Sequence, residues 1–316
     1  MPKKTGNAGH GLEAYDPKTG QYIKEGEESS KEDFSIDIIK GAKSLDLDDL
    51  FDDDDDGEDL DSWLERRNFW NSSEKRDPNW VCDNIEKFFD KEVVDFLAKY
   101  DFHTASSLGA RTWSSQNLVL TNAIAFQMYQ PMTPVSPEEF DSLLNQVGSD
   151  KFSTKTPSAP LAYIERGFSN KGVIAASYLR QEPSDLVLTQ GAHGSCVYTA
   201  YNAYTASSYA GYGGYIMKAV IDNTNSNTID EQSVYNLRGT FINRINEIKS
   251  KLYQHGLNIG LDDSQAQRLG QIFENTLQYD RMFPAVICGY DVVYDKSDQY
   301  ALLLRFRNVK VKKDWW

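Results

Sequence analysis

Residues 191–222 read Gly191-Ala-His-Gly-Ser-Cys-Val-Tyr-Thr-Ala-Tyr-Asn-Ala-Tyr-Thr-Ala-Ser-Ser-Tyr-Ala-Gly-Tyr-Gly-Gly-Tyr-Ile-Met-Lys-Ala-Val-Ile-Asp222. A glycine-flanked turn opens this stretch, a short strand is predicted at residues 196–200, and a helix is predicted at residues 202–210. Glycines then end the helix, and apolar residues at every second position predict another strand over residues 215–222. The predicted pattern is therefore strand, helix, strand, with glycine at the turns.

Two tyrosines lie on neighbouring elements of this predicted pattern. Tyr198 is on the first strand, and Tyr209 ends the helix eleven residues later. Two rings held on neighbouring rigid elements can stack on both faces of a flat ring, because offset stacking adds to the burial of apolar area. The same rings could equally be core aromatics in a chain that contains 18 tyrosines.

The stretch resembles the nicotinamide-binding core of the ADP-ribosyltransferases. In their poly(ADP-ribose) polymerase branch, the motif G-x-G-I-Y-F-A precedes S-x-S-A-x-Y, a glycine-containing loop and a strand. The corresponding residues here are Gly194-Ser-Cys-Val-Tyr-Thr-Ala200 and Thr205-Ala-Ser-Ser-Tyr209, with the same spacing of eleven between the tyrosines. The resemblance implies that Tyr198 and Tyr209 stack on the nicotinamide of NAD, which would be the substrate.

A second stretch, Leu161-Ala-Tyr-Ile-Glu-Arg-Gly-Phe168, resembles the Y-R-G-F or L-W-H-G strand that opens the same fold. The resemblance implies that Arg166 braces NAD and that Gly167 lets the carboxamide approach the backbone. Arginine suits such a role because it offers a rigid fork of donors for phosphate or ribose oxygens. The alternative alignment of this motif on His193-Gly194-Ser195 leaves only five residues before Tyr198, too few for the intervening strand and loop.

A third resemblance lies near the end of the chain, in Cys288-Gly-Tyr-Asp-Val-Val-Tyr294 and Asp295-Lys-Ser-Asp-Gln-Tyr-Ala-Leu-Leu-Leu-Arg305. Phage and plasmid members often end in a G-Y-D-A-I strand, a short acidic loop and a strand opening E-Y-x-V-L-N-R. The glutamate of that motif is catalytic, because an anionic carboxylate stabilises the oxocarbenium-like sugar of the reaction. This chain has Gln299 there, which can hydrogen-bond a ribose hydroxyl but carries no charge.

Composition limits the classes of partner. The net charge is −14, and the first 80 residues hold 22 Asp and Glu against 11 Lys and Arg. Nonspecific DNA binding depends on neutralising phosphates with basic residues, so the charge argues against it. No sequence-specific nucleic-acid partner is expected either. The three cysteines lack metal-ligand spacing, so no metal site is predicted. No apolar run reaches the length of a membrane span, so no membrane partner is expected.

The chain is predicted to be α+β and to comprise three parts. Residues 1–60 are predicted to be a disordered acidic tail, because they lack apolar periodicity; their opening resembles that of many phage-encoded proteins. Residues 61–150 are predicted to be a small helical domain, with one helix at residues 83–100 capped by Asp83, a second at 121–129 and a third capped by Ser136. Residues 151–316 are predicted to form an ADP-ribosyltransferase-like split β-sheet that also carries two longer helices, at residues 230–255 and 264–280.

The function implied by the resemblance is transfer of a single ADP-ribose from NAD to a host protein or other macromolecule. A phage or mobile element would encode the protein, which would act in the host cytoplasm or travel in the virion. The alternative is a catalytically degenerate virion or interaction protein with weak or no NAD binding. The implied catalytic residues are Arg166 and Gln299, and the implied cofactor-binding residues are Arg166, Gly167, Ser195, Tyr198, Ser207 and Tyr209.

Overall fold

The computed structural model describes residues 14–16, 21–23, 60–99, 119–148, 159–168, 188–191, 194–200, 203–210, 214–295 and 300–313. The chain forms two compact units, Met1–Asp59 and Leu60–Trp316. The predicted boundary at residue 150 lies inside the second unit, where the helices before it and the sheet after it contribute to one hydrophobic core.

The first unit contains two short antiparallel strands, β1 (Ala14–Asp16) and β2 (Gln21–Ile23). Tyr15 lies opposite Tyr22 in this pair. The remaining residues of the predicted tail before residue 60 lie outside the described residues, so its predicted disorder stays a prediction.

The second unit contains ten α-helices and nine strands among its described residues. The helices are α1 (Leu60–Asn71), α2 (Pro78–Asp83), α3 (Lys91–Lys99), α4 (Val119–Gln127), α5 (Pro137–Val147), α6 (Ala203–Ala210), α7 (Glu231–Asn243), α8 (Ile245–Asn258), α9 (Asp263–Tyr279) and α10 (Phe283–Ile287), with a 3-10 turn at Ile85–Phe88. The strands are β3 (Thr133–Val135), β4 (Leu161–Phe168), β5 (Thr189–Gly191), β6 (Gly194–Ala200), β7 (Tyr215–Asp222), β8 (Thr228–Asp230), β9 (Val292–Tyr294), β10 (Tyr300–Leu303) and β11 (Val309–Lys312). Within the described residues, no helix is long and apolar enough to cross a membrane.

Eight of these strands form one mixed sheet in the order β3-β11-β7-β4-β6-β10-β9-β8, and β5 pairs with β6 beside it. The outer pairs β3–β11 and β8–β9 are parallel, and the pairs between them are antiparallel. The predicted α+β class is confirmed at this level. The strand, helix, strand pattern of the opening stretch is present as β6, α6 and β7.

The sheet separates two groups of packed side chains. Along β4, Ala162 and Ile164 lie in the larger core, whereas Tyr163 packs into a smaller cluster beneath α5 with Phe140 and Val220. Successive side chains of a strand point to opposite faces, so this alternation shows that β4 is covered on both sides. The central strands are therefore held rigidly and can position side chains at their ends.

Two predicted helices are interrupted in the structure. The predicted helix over residues 83–100 becomes a 3-10 turn followed by α3, because the Asp90 carboxylate accepts from Val93 N at 3.0 Å and from the Trp70 indole at 2.8 Å. Asp83, predicted to cap that helix, instead ends α2 and binds the Arg244 guanidinium at 2.5 Å. The predicted helix over residues 230–255 is divided into α7 and α8 at the same Arg244.

Candidate functional site

The sheet opens between β4 and β6. β4 pairs with β7 along its whole length, from Leu161 opposite Asp222 to Phe168 opposite Tyr215. Among the described residues, a single pair, Glu165 with Ala200, joins β4 to β6. Beyond Glu165, the end of β4 therefore separates from β6 while it remains attached to β7.

Arg166 bridges this opening. Its Nη1 donates to the carbonyl oxygen of Tyr198 on β6 at 2.5 Å, and its Cζ lies 5.0 Å from the centroid of the Phe168 ring. A hydrogen bond from a guanidinium is charge-assisted, and the aromatic face adds a cation–π attraction. The structure thus brings together Arg166 and Tyr198, two of the residues that the sequence assigned to the site.

The two tyrosines of the predicted clamp have different surroundings. Tyr198 is half-buried against the larger core, and its hydroxyl donates to the carbonyl oxygen of Gly194 at 3.3 Å. Tyr209, at the end of α6, is 63% exposed. The pKa of Tyr300 is raised first by burial and then by a hydrogen bond with the Tyr209 side chain. Tyr209 therefore reaches the start of β10, next to β6.

Gly167 seats α6 directly on β4. A Cβ added at Gly167 would lie 1.9 Å from the carbonyl oxygen of Ala206 and 2.5 Å from the main-chain nitrogen of Ala210. A Cβ at Gly214, just beyond the helix, would lie 1.9 Å from the carbonyl oxygen of Ala210. Close approach of the helix backbone explains glycine at both positions. The approach of the nicotinamide carboxamide to Gly167 stays a prediction. In the structure, the Cα of Gly167 already lies against the backbone of α6.

Replacing Gly167 with alanine is expected to destabilise the protein by about 1–3 kcal/mol, because the added methyl must push α6 away from β4. Gly239→Ala is the matched control. A Cβ at Gly239, inside α7, meets nothing within 4 Å, so alanine should stabilise the helix by roughly 0.5–1 kcal/mol. Thermal unfolding of both variants measures the difference. A Gly167→Ala protein that melts like wild type would show that α6 is not seated as described.

Ser195 belongs to a buried polar junction. Its main-chain nitrogen donates to Asp280 Oδ1 at 2.9 Å, and its hydroxyl donates to Asp280 Oδ2. The hydroxyl of Thr121 donates to the same Oδ2 at 2.6 Å, and Met282 N donates to Oδ1 at 3.1 Å. Asp280 is fully buried and so joins α4, β6 and the turn before α10. A cofactor contact from Ser195 would have to replace its bond to Asp280.

Two of the predicted site residues remain, Ser207 and Gln299. Ser207 is exposed on α6. Gln299 lies outside the described residues; Tyr300, which follows it in the sequence, pairs with Ala200. The described residues contain no group of three or more His, Cys, Asp or Glu that could hold a metal ion.

Sequence reasoning missed two acids of this region, Glu165 and Asp280. Glu165 stands in the apolar run of β4, where a buried acid needs a partner. This acid within an apolar run is visible in the sequence, because Glu165 directly precedes Arg166, a residue already assigned to the site. Asp280 follows a helix, and its partners are Thr121 and Ser195, which lie 159 and 85 residues away in the chain. No local pattern marks such a residue.

No family model matches the chain, and neither the curated proteins nor the solved structures contain a match to it.

Proposed function

We propose that this chain transfers a single ADP-ribose from NAD to a host protein or other macromolecule, and that a phage or mobile element encodes it. The observation that carries the proposal is the opening between β4 and β6, bridged by Arg166 and bordered by α6. The protein is proposed to act in the host cytoplasm, where it is either synthesised or delivered by a virion.

Arg166 is proposed to hold the ribose or phosphate side of NAD. Its guanidinium is oriented by the carbonyl oxygen of Tyr198 and by the ring of Phe168. A guanidinium has five donors in a fixed fork, so it can keep one main-chain acceptor and still donate to a ribose or phosphate oxygen. Because the fork is already oriented, little conformational entropy is lost when the substrate binds.

The tyrosines are proposed to hold the nicotinamide ring, with Tyr198 supplying a fixed, half-buried face and Tyr209 an exposed one. In the reaction, the bond between C1′ of the ribose and the nicotinamide nitrogen breaks, and its electron pair goes to that nitrogen. The acceptor then forms a bond to C1′ and releases its proton to solvent. Gln299 is proposed to orient the ribose through a hydrogen bond.

Replacing Tyr209 with alanine is expected to weaken NAD binding by about 1–3 kcal/mol, because a stacked ring and its buried area are lost. The exposure of Tyr209 means that the fold should survive the change. Tyr204→Ala is the matched control, since Tyr204 is on the same helix and is 87% exposed. Titration calorimetry with NAD measures both. Equal affinity in the two variants would remove Tyr209 from the site.

A second function is favoured by one observation: Tyr204 and Tyr209 expose most of their surface on α6. Tyrosine is enriched at protein–protein interfaces, so this helix suits a virion or interaction protein that keeps the fold without catalysis. Release of nicotinamide from NAD separates the two functions, because the interaction protein would release none.

A further inference from the structure

Glu165 is a buried acid at the edge of the opening. Its side chain is 4% exposed, and one carboxylate oxygen, Oε1, accepts a hydrogen bond from the Tyr163 hydroxyl at 2.5 Å. The other oxygen, Oε2, is buried and has no hydrogen-bond partner among the described residues. Buried polar atoms are nearly always hydrogen-bonded in folded proteins, so an exception of this kind needs an explanation.

The position of Glu165 relates it to the proposed NAD site. It belongs to the last pair that joins β4 to β6, opposite Ala200, and Ala200 is in turn opposite Tyr300 on β10. Side chains of directly opposed residues on antiparallel strands lie on one face. Glu165 and Tyr300 therefore flank the small Ala200 side chain on that face, and Tyr300 lies close to Tyr209.

Glu165, Ala200 and Tyr300 form a row across three neighbouring strands. Neighbouring strands lie roughly 4.8 Å apart, so the backbones of Glu165 and Tyr300 are separated by about 10 Å, with Ala200 on the strand between them. The Tyr163 hydroxyl donates to the Glu165 carboxylate. The pKa of Tyr163 is raised first by burial and then by this hydrogen bond. Tyr163 therefore keeps its proton and acts as a hydrogen-bond donor.

We propose that Glu165 supplies the negative charge that stabilises the ribose in the proposed reaction, with Tyr163 as its positioning residue. The proposal rests on the proposed function. When the bond from C1′ to the nicotinamide nitrogen breaks and its electrons go to nicotinamide, positive charge develops on the ribose. The unpartnered Oε2 of Glu165 stabilises that charge until the acceptor bonds to C1′ and gives its proton to solvent.

The test compares nicotinamide release from NAD by the full chain and its Glu165→Gln variant over a series of NAD concentrations. Loss of the charge should lower kcat by about a hundred- to a thousandfold, as removal of one preorganised electrostatic group does. KM should stay within about threefold, since the ground state carries no developing charge to stabilise. A fall in kcat at nearly constant KM is a readout that a merely structural Glu165 would not give.

Two further variants complete the test. Tyr163→Phe leaves the carboxylate in place but removes its donor, and kcat should fall by about tenfold. Glu139→Gln, at an exposed acid on α5 paired with Lys310, should leave kcat unchanged. If the Glu165→Gln protein does not fold, the Tyr163→Phe variant tests the proposal in its place. An unchanged kcat in Tyr163→Phe then overturns the proposal.

The experiment distinguishes failure of the role given to Glu165 from failure of the proposed transferase function. A wild-type protein that releases nicotinamide as fast as its folded Glu165→Gln variant overturns the role of Glu165 and leaves the transferase function standing. A wild-type protein that neither binds NAD nor releases nicotinamide overturns both.

Discussion

Arg166→Ala is expected to lower nicotinamide release from NAD by about a hundred- to a thousandfold, the usual loss when one preorganised electrostatic group is removed. The side chain is oriented across the opening between β4 and β6 by its bond to Tyr198, and it would hold the ribose or phosphate of the substrate. Arg166→Lys keeps the charge but loses the planar fork, so its rate should fall between those of wild type and Arg166→Ala.

The loss must be separated from damage to the fold, since Arg166 also links two strands. Thermal unfolding of each variant provides that check, and Arg67→Ala, at an exposed arginine of α1, serves as the control for removal of one positive charge. A stable Arg166→Ala protein with the wild-type rate would contradict the role of Arg166.

Asp291→Ala is expected to cost about 3–5 kcal/mol of stability, because it leaves buried positive charge without its carboxylate. Asp291 is 1% exposed; its carboxylate lies 2.6 Å from Arg305 Nε and 2.7 Å from Arg307 Nη2. It also accepts from the main-chain nitrogen of Asn227 at 2.7 Å. The pKa of Arg305 is lowered mainly by burial, a sign that its charge is poorly solvated and depends on this partner.

The measurement is the melting temperature, which should fall by about 6–20 °C at roughly 2–4 °C per kcal/mol for a unit of this size. Asp95→Ala is the control. Asp95 pairs with Lys91 at 3.1 Å on the surface of α3, and loss of such an exposed pair should change stability by no more than about 0.5 kcal/mol. Equal melting temperatures for the two variants would contradict the role given to Asp291.

Local features of the sequence predicted several elements correctly. The alternation of apolar residues over residues 215–222 is confirmed, since Met217, Ala219 and Ile221 lie in the larger core. Ser136 was predicted to cap a helix, and its hydroxyl accepts from Glu139 N at 3.2 Å with Pro137 in the first turn. In both cases the residues that specify the element lie within it or next to it.

Other features depend on partners that are distant in the sequence. The breaks in the two predicted helices follow from Asp90 with Trp70 and from Arg244 with Asp83, pairs that are 20 and 161 residues apart. Apolar periodicity continues through both breaks, so pattern reasoning alone could not detect them. The junction at Asp280 likewise joins three elements that no local motif connects.

For the candidate site, the sequence indicated the strands that meet but not their geometry. The spacing of Tyr198 and Tyr209 gave no indication that one ring is packed on the core while the other is mostly exposed. The opening between β4 and β6 depends on the register of β4 with both neighbours, which only the assembled sheet determines. The importance of Glu165 follows from its burial beside that opening.

The decisive measurement is release of nicotinamide from NAD by the full-length wild-type protein, in the presence and absence of host lysate. A transferase should release nicotinamide faster when lysate is present, with an equal amount of ADP-ribose becoming attached to lysate macromolecules, and Arg166→Ala should do neither. No release in either condition, together with no heat on titration of the protein with NAD, would contradict the proposed function.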